Sequence, residues 1–305
     1  MPTPLTSSAA LSTAPAAELA AATPAASVAV SPPSPVAPEA AAQVAQALHG
    51  LDPFMPLLLA LVLAAGLWRY LALRRRHLGQ AALRASLGAA TPAAPESNGP
   101  WGGLALLALA VFALCAWGVH GGPGHAAWQA LDTAAEQGAT LRMQQVSTAG
   151  LATLRALTDS GDVLFLALLS LAVTGLLAWR RRWLDLQVWV FFIVAQGLLI
   201  RVFKLTFERV RPENLHGLVL SGDSFPSGHA AGSLLAYTLL AALMTAALPR
   251  AQRVAWLVLA WGWALAIGVS RVVLAAHWAS DVLAGWALGT ASLCLALYAL
   301  RRLRA

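Results

Sequence analysis

Charge is scarce in this 305-residue chain: Asp, Glu, Lys and Arg make up 11% of it, where a soluble globular domain carries about 25%. Cysteine is scarcer, with only Cys115 and Cys294, both inside apolar runs. Two such residues match neither a disulfide framework nor the spacing of a metal site, and they read as small buried hydrophobes. The first fifty residues hold no Lys or Arg at all, so they lack the basic n-region of a signal peptide. Hydrophobic residues, by contrast, are plentiful, at 59% of the chain with a mean hydropathy of +0.68. These values fit an integral membrane protein. The formal net charge of +7 raises the question of nucleic acid, but that function needs a basic face on a soluble domain. Here the arginines fall in short clusters between apolar runs, as they do when they set membrane topology, and no nucleic-acid partner is expected.

Residues 1–50, rich in Ala, Pro, Ser and Thr, read as a disordered low-complexity tail. Seven apolar runs follow, roughly Phe54–Leu73, Leu104–Val119, Val163–Trp179, Leu186–Phe203, Ala230–Leu248, Val254–Val273 and Val282–Leu300. About 20 residues, rising about 1.5 Å each, cross the hydrocarbon layer, and most of the runs are long enough. Trp68, Trp101, Trp179, Trp183 and Trp278 mark their ends, as an interfacial belt does. The expected fold class is an all-α polytopic helix bundle. The first run, within 51–76, is an extra transmembrane helix, 77–100 a cytoplasmic linker, and 101–305 the main domain.

Arginine placement orients the bundle. Arg74, Arg75, Arg76 and Arg84, then Arg180 to Arg182, then Arg250 and Arg253, then Arg301, Arg302 and Arg304 alternate with connections poor in basic residues. The positive-inside rule puts the rich set, and with it the C-terminus, in the cytoplasm. The tail and the 120–162 connection, read as a long loop, then lie outside. Against this trend, Lys204, Arg209, Arg211 and Arg271 follow the fourth and sixth runs on the outer side. Cations on that side have two explanations: pairing, as of Lys204 with Glu208 at i+4, or binding of an anion.

Three segments on the outer face carry chemistry. In "KLTFERVRP", Lys204 and Arg211 share a helix face if the helix continues outward to Pro212; the bland alternative is snorkelling of basic side chains at an interface. In "PSGH", Ser227 and Gly228 lie at a helix N-terminus, where backbone N–H groups and a hydroxyl can face an oxyanion, with His229 beside them. Ser227 also reads as an ordinary N-cap for a helix beginning near Ala230. In "SRVVLAAHWASD", His277 and Asp281 stand at i, i+4, so a carboxylate can reach one ring nitrogen and leave the other free to attack. Arg271 adds a planar donor fork suited to phosphate.

Taken together, Lys204-x6-Arg211-Pro212, Pro226-Ser227-Gly228-His229 and Ser270-Arg271-x5-His277-x3-Asp281 resemble the three-part signature of the type 2 phosphatidic acid phosphatase (PAP2) superfamily, whose phosphate pocket is shared with vanadium haloperoxidases. The likeness covers roughly residues 100 to 300 and departs at no defining position. It implies a six-helix core with its pocket at the outer leaflet of the plasma membrane. It also implies roles: His277 as nucleophile forming a phosphohistidine, Asp281 orienting it, and His229 as acid and then base. Lys204, Arg211, Arg271, Ser227 and Gly228 would bind the phosphoryl oxygens, without metal or other cofactor. The expected partners are membrane lipid and a lipid phosphate or lipid pyrophosphate substrate, with phosphatidic acid, phosphatidylglycerophosphate and undecaprenyl pyrophosphate as candidates. Vanadate-dependent halide oxidation and a non-catalytic membrane scaffold are the alternative readings, and oligomeric state stays open.

Overall fold

The computed structural model describes residues 100–304 except 123, 214–219 and 221. The expected tail (1–50), extra transmembrane helix (51–76) and all of the linker (77–100) but its last residue lie outside the described residues. The described residues form eight helices: α1 (Trp101–Val119), α2 (His125–Met143), α3 (Thr148–Asp159), α4 (Val163–Trp179), α5 (Trp183–Phe207), α6 (Gly228–Met244), α7 (Arg250–Val273) and α8 (Ala279–Arg304). Each of the last six apolar runs is a helix, as α1, α4, α5, α6, α7 and α8. The described residues form an all-helical, multi-pass membrane bundle.

By length and composition α1, α5, α7 and α8 can each cross a membrane, while α6 is a 17-residue apolar helix. The break at Ser160–Asp162 bends α3 against α4 by 49°. The outer faces of α1, α4 and α7 are apolar and exposed, with Leu106, Leu114, Leu171, Trp256 and Val258 among the residues displayed. Such faces suit lipid, since a helix satisfies its backbone internally and needs no water.

The expected loop at 120–162 is instead largely helical, as α2 and α3, and this is a correction. Neither helix is apolar enough to read as a span, so hydropathy left them unseen. Local chemistry starts α3, where the Ser147 hydroxyl accepts from the Gly150 amide at 3.1 Å. At the start of α4, Asp162 does the same for Leu164 at 2.8 Å.

At the centre stands α8, buried along most of its length. It packs on α6 through glycines: a Cβ on Gly285 would fall 2.7 Å from the Ser227 carbonyl, and one on Gly289 2.7 Å from that of Ala231. Backbones this close lock the start of α6 against the start of α8. Leu177, Trp189, Leu234, Leu239, Ala264 and Leu293 fill one core, drawn from α4 to α8. A second core joins Phe112 and Cys115 of α1 to Phe225, Ala284 and Leu288, with Phe203 and Phe207 against it. Its rings are close, at 4.7 Å for Phe112–Phe203 and 4.8 Å for Phe207–Phe225, which anchors the segment leading into Ser227. At the arginine-rich end, Asp185 pairs with Arg182 at 2.7 Å and with Arg304. Arg182 also donates to the Leu243 carbonyl at 2.9 Å, tying α5, α6 and α8 together.

Candidate functional site

The end of the bundle opposite that clasp gathers all three motif segments. α5 stops at Phe207, because Glu208 takes a left-handed conformation (φ 43°) as its C-cap. Lys204 is therefore helical while Arg211 is not, and the expected shared helix face does not form. The two cations meet by another route: Lys204 Nζ and Arg211 Nη2 both donate to the carbonyl of Asp223. Glu208, expected to pair with Lys204, is exposed and gives its backbone N–H to the Lys204 carbonyl.

Arg211 is held by carbonyls on several sides. Its Nε donates to Gly222 at 2.9 Å and its Nη1 to Ala276 at 2.7 Å, and Nη1 also reaches Nε2 of His277 at 3.2 Å. The other ring nitrogen of His277, Nδ1, lies 3.4 Å from Asp281 Oδ2. Both contacts call for the same tautomer. A carboxylate only accepts, so Nδ1 carries the hydrogen, and a guanidinium only donates, so Nε2 presents a lone pair. Burial pushes the His277 pKa down to about 3; Asp281 opposes that shift, and Arg211 and Lys204 add to it. At neutral pH the ring is thus an uncharged base with one lone pair aimed at a cluster of cations.

Asp281 is fully buried. Its Oδ2 also accepts from the Ser224 hydroxyl and from the Trp278 amide at 3.0 Å, while Oδ1 accepts from Arg209 Nη1. A buried carboxylate needs this many donors to remain ionised.

Ser227 is the N-cap of α6, its hydroxyl accepting from the Ala230 amide at 3.4 Å, so the ordinary capping role is present. Its own backbone N–H is committed to the Asp281 carbonyl at 3.0 Å, which joins the second motif to the third. The amides of Gly228 and His229 precede the first intrahelical bond and occupy the positive end of the helix.

His229 Nε2 lies 3.9 Å from Asp162 Oδ2. Gly161 makes room for it: a Cβ there would lie 3.3 Å from His229 Cδ2 and 2.5 Å from Ile267 Cγ2. Arg271 is 5% exposed; Nη1 donates to the Thr158 hydroxyl at 2.9 Å, and Nε has no hydrogen-bond partner among the described residues. One turn, Thr158–Asp162, thus touches both Arg271 and His229.

All eight residues singled out in the sequence lie at this end of the bundle, on the three motif segments. Sequence reasoning missed Asp132, Thr158 and Ser224, and gave Arg209 no role. Arg209 carried a signal, as one of the cations on the unexpected side. Asp132 and Thr158 carried none, since their helices were read as loop. Chemically, three cations, a helix N-terminus and two imidazoles around one locus can hold a tetrahedral oxyanion and move protons at its edge.

Comparison with known proteins agrees with the resemblance in the motifs. Residues 186–305 match the PAP2 superfamily. Over 127 residues the chain is 32% identical to phosphatidylglycerophosphatase B of Bacillus subtilis, covering 41% of this chain and 62% of that protein. Over 109 residues it is 35% identical to lipid A 1-phosphatase of Rhizobium johnstonii, covering 32% of this chain and 41% of that protein. The chain therefore spans less than two thirds of the length of either relative. A similar solved structure is the crystal structure of the first transmembrane PAP2 type phosphatidylglycerolphosphate phosphatase from Bacillus subtilis. It has a TM-score of 0.53 and 27% identity, with 64% of this chain and 93% of that one covered.

Proposed function

Residues 186–305 belong to the PAP2 superfamily, and from that premise we propose that this protein is an integral membrane phosphatase acting on a lipid phosphate or lipid pyrophosphate. The observation that carries the reading is His277 held between Asp281 at Nδ1 and Arg211 at Nε2. In the proposed reaction Nε2 attacks phosphorus, and the P–O bond to the lipid breaks as the N–P bond forms. His229, which takes up a proton once the negative charge of the substrate offsets the neighbouring cations, gives that proton to the departing lipid oxygen. His229 then takes a proton from water, whose oxygen attacks the phosphohistidine; phosphate leaves and His277 returns to its neutral form. Lys204, Arg211, Arg271, the Ser227 hydroxyl and the Gly228 amide hold the phosphoryl oxygens while charge shifts between them. Asp281 stabilises the positive charge that His277 gains as it attacks.

The catalytic domain is 101–305, its pocket faces the outer leaflet of the plasma membrane, and the C-terminus is cytoplasmic. Arginine distribution supports that orientation, because the Asp185 clasp and the site occupy opposite ends of the bundle. A pocket at the helix ends suits a substrate whose tails stay in the bilayer. Relatives named for phosphatidylglycerophosphate and for lipid A 1-phosphate support a lipid phosphate monoester, with phosphatidylglycerophosphate first among the candidates.

The test is phosphate release by the detergent-purified full chain, with EDTA present. Phosphatidylglycerophosphate, phosphatidic acid and undecaprenyl pyrophosphate would be offered side by side. Release from at least one, lost in His277→Ala, is expected. Folded protein that releases phosphate from none of them would overturn the reading.

A further inference from the structure

The carboxylate that orients His277 is itself held by residues that are not among the defining positions of the three motifs. Arg209 lies in the segment after α5 and divides its fork between two acids: Nη1 donates to Asp281 Oδ1, and Nη2 to Asp132 Oδ2 at 2.7 Å. Asp132, on α2, is 2% exposed. Its Oδ1 accepts from the Ser280 amide at 2.8 Å, and its Oδ2 accepts from the Ser280 hydroxyl at 2.7 Å as well as from Arg209. Arg209 Nη1 also reaches the Ser280 hydroxyl at 2.8 Å, and the guanidinium lies 5.5 Å over the Trp278 ring. The Trp278 indole donates to the Val210 carbonyl at 2.9 Å, which binds the segment carrying Arg209 to the segment carrying His277.

A guanidinium facing one carboxylate prefers to grip both oxygens with two parallel N–H bonds. Gripped that way, Asp281 would give both oxygens to Arg209 and hold the imidazole less firmly. Here Asp132 claims the second arm. Arg209 is left with one bond to Asp281 Oδ1, and Oδ2 remains for His277, Ser224 and Trp278. We propose that Asp132 and Arg209 are positioning residues of the proposed phosphatase: Asp132 holds Arg209 to a single bond on Asp281, and this keeps His277 in the tautomer with hydrogen on Nδ1 and a lone pair on Nε2. The inference deepens the phosphatase reading and rests on His277 as its nucleophile. It gives α2 a part in the site: the helix supplies the far anchor of the nucleophile from 145 residues before His277 in the sequence.

The test reads the tautomer directly. Full-length protein in detergent, with 15N-labelled histidine, gives ring-nitrogen shifts by long-range proton–nitrogen correlation, and the His277 signals are identified by their loss in His277→Gln. The wild type is expected to show one protonated and one bare nitrogen. In Asp132→Asn the two shifts should move toward each other, and kcat should fall about ten- to a hundredfold, the range seen when groups behind a metal's ligands are removed, with KM and Tm near wild type. Asp132→Glu should restore part of the kcat, and Arg209→Lys, which cannot grip both oxygens of Asp281, should keep the wild-type tautomer. An unshifted tautomer in Asp132→Asn would overturn the proposal, even if activity or Tm fell, because Asp132 would then be a strut. If Asp132→Asn fails to fold, Ser280→Ala takes its place, and an unmoved tautomer there counts against the proposal equally. The readout needs no substrate, so it stands or falls separately from the phosphate-release assay.

Discussion

Lys204 and Arg211 donate to one and the same carbonyl, that of Asp223, although one lies in the last turn of a helix and the other in the segment beyond it. That shared acceptor holds two cations together at the proposed phosphate position, where their repulsion would otherwise drive them apart. Lys204 is also the single lysine among the 20 basic residues of the chain. Replacing it by Gln removes one preorganised donor, and kcat is expected to fall about a hundred- to a thousandfold. An amine-directed reagent should inactivate the wild type, and saturating phosphate or vanadate should protect it. Inactivation unaffected by either anion would place Lys204 outside the pocket.

Acid should destabilise the protein through His277. Its pKa is pushed down by burial to about 3 in the folded chain, against about 6.5 when unfolded. Between those values the unfolded chain binds a proton that the folded chain does not, so stability falls as pH drops from about 6.5 toward 3. In His277→Gln the loss of Tm between pH 7 and pH 4.5 should be smaller than in the wild type. An equal loss in both proteins would count against a buried neutral imidazole.

Thr158→Val tests the turn that braces Arg271. The hydroxyl accepts from Nη1, and Nε already lacks a partner among the described residues. Leaving a second donor of a buried guanidinium unsatisfied costs about 1–3 kcal/mol. The expected result is weaker inhibition by vanadate and a raised KM, with a small effect on kcat. Unchanged KM and vanadate affinity would show that Arg271 is held without Thr158.

Gly285→Ala should act on the site through the backbone. The added methyl would meet the Ser227 carbonyl at 2.7 Å and the Ala230 Cβ at 2.9 Å, forcing α6 away from α8 at the start of the second motif. Overpacking of this kind costs about 1–3 kcal/mol. A lower Tm with an accompanying fall in phosphate release is expected, while Gly262→Ala, which meets nothing within 4 Å, should leave both unchanged. A normal Tm in Gly285→Ala would mean that α6 and α8 have room the structure does not show.

The membrane helices were legible because lipid imposes a one-dimensional rule: a spanning segment must be long and apolar over its whole length. Six of the seven apolar runs are helices in the described residues, and the first run lies outside them. Where no such rule applies, the reading failed. α2 and α3 are too polar to register as spans, and their helicity depends on packing rather than on a local pattern. The end of α5 was missed for a related reason. Pro212 was the visible breaker, but Glu208 turns the chain four residues earlier.

What the sequence by itself determined is the set of groups proposed to carry the chemistry: His277 with Asp281 one turn on, Ser227 to His229 at a helix start, and basic residues on the unexpected side. Each is a relation between near neighbours, where spacing fixes geometry. Only the tertiary structure decided how the groups are held. The carbonyl shared by Lys204 and Arg211, the Thr158 support of Arg271 and the Asp132–Arg209–Asp281 chain join residues between 12 and 113 positions apart. No periodicity encodes such contacts, because they exist only once the helices have packed and brought distant segments together.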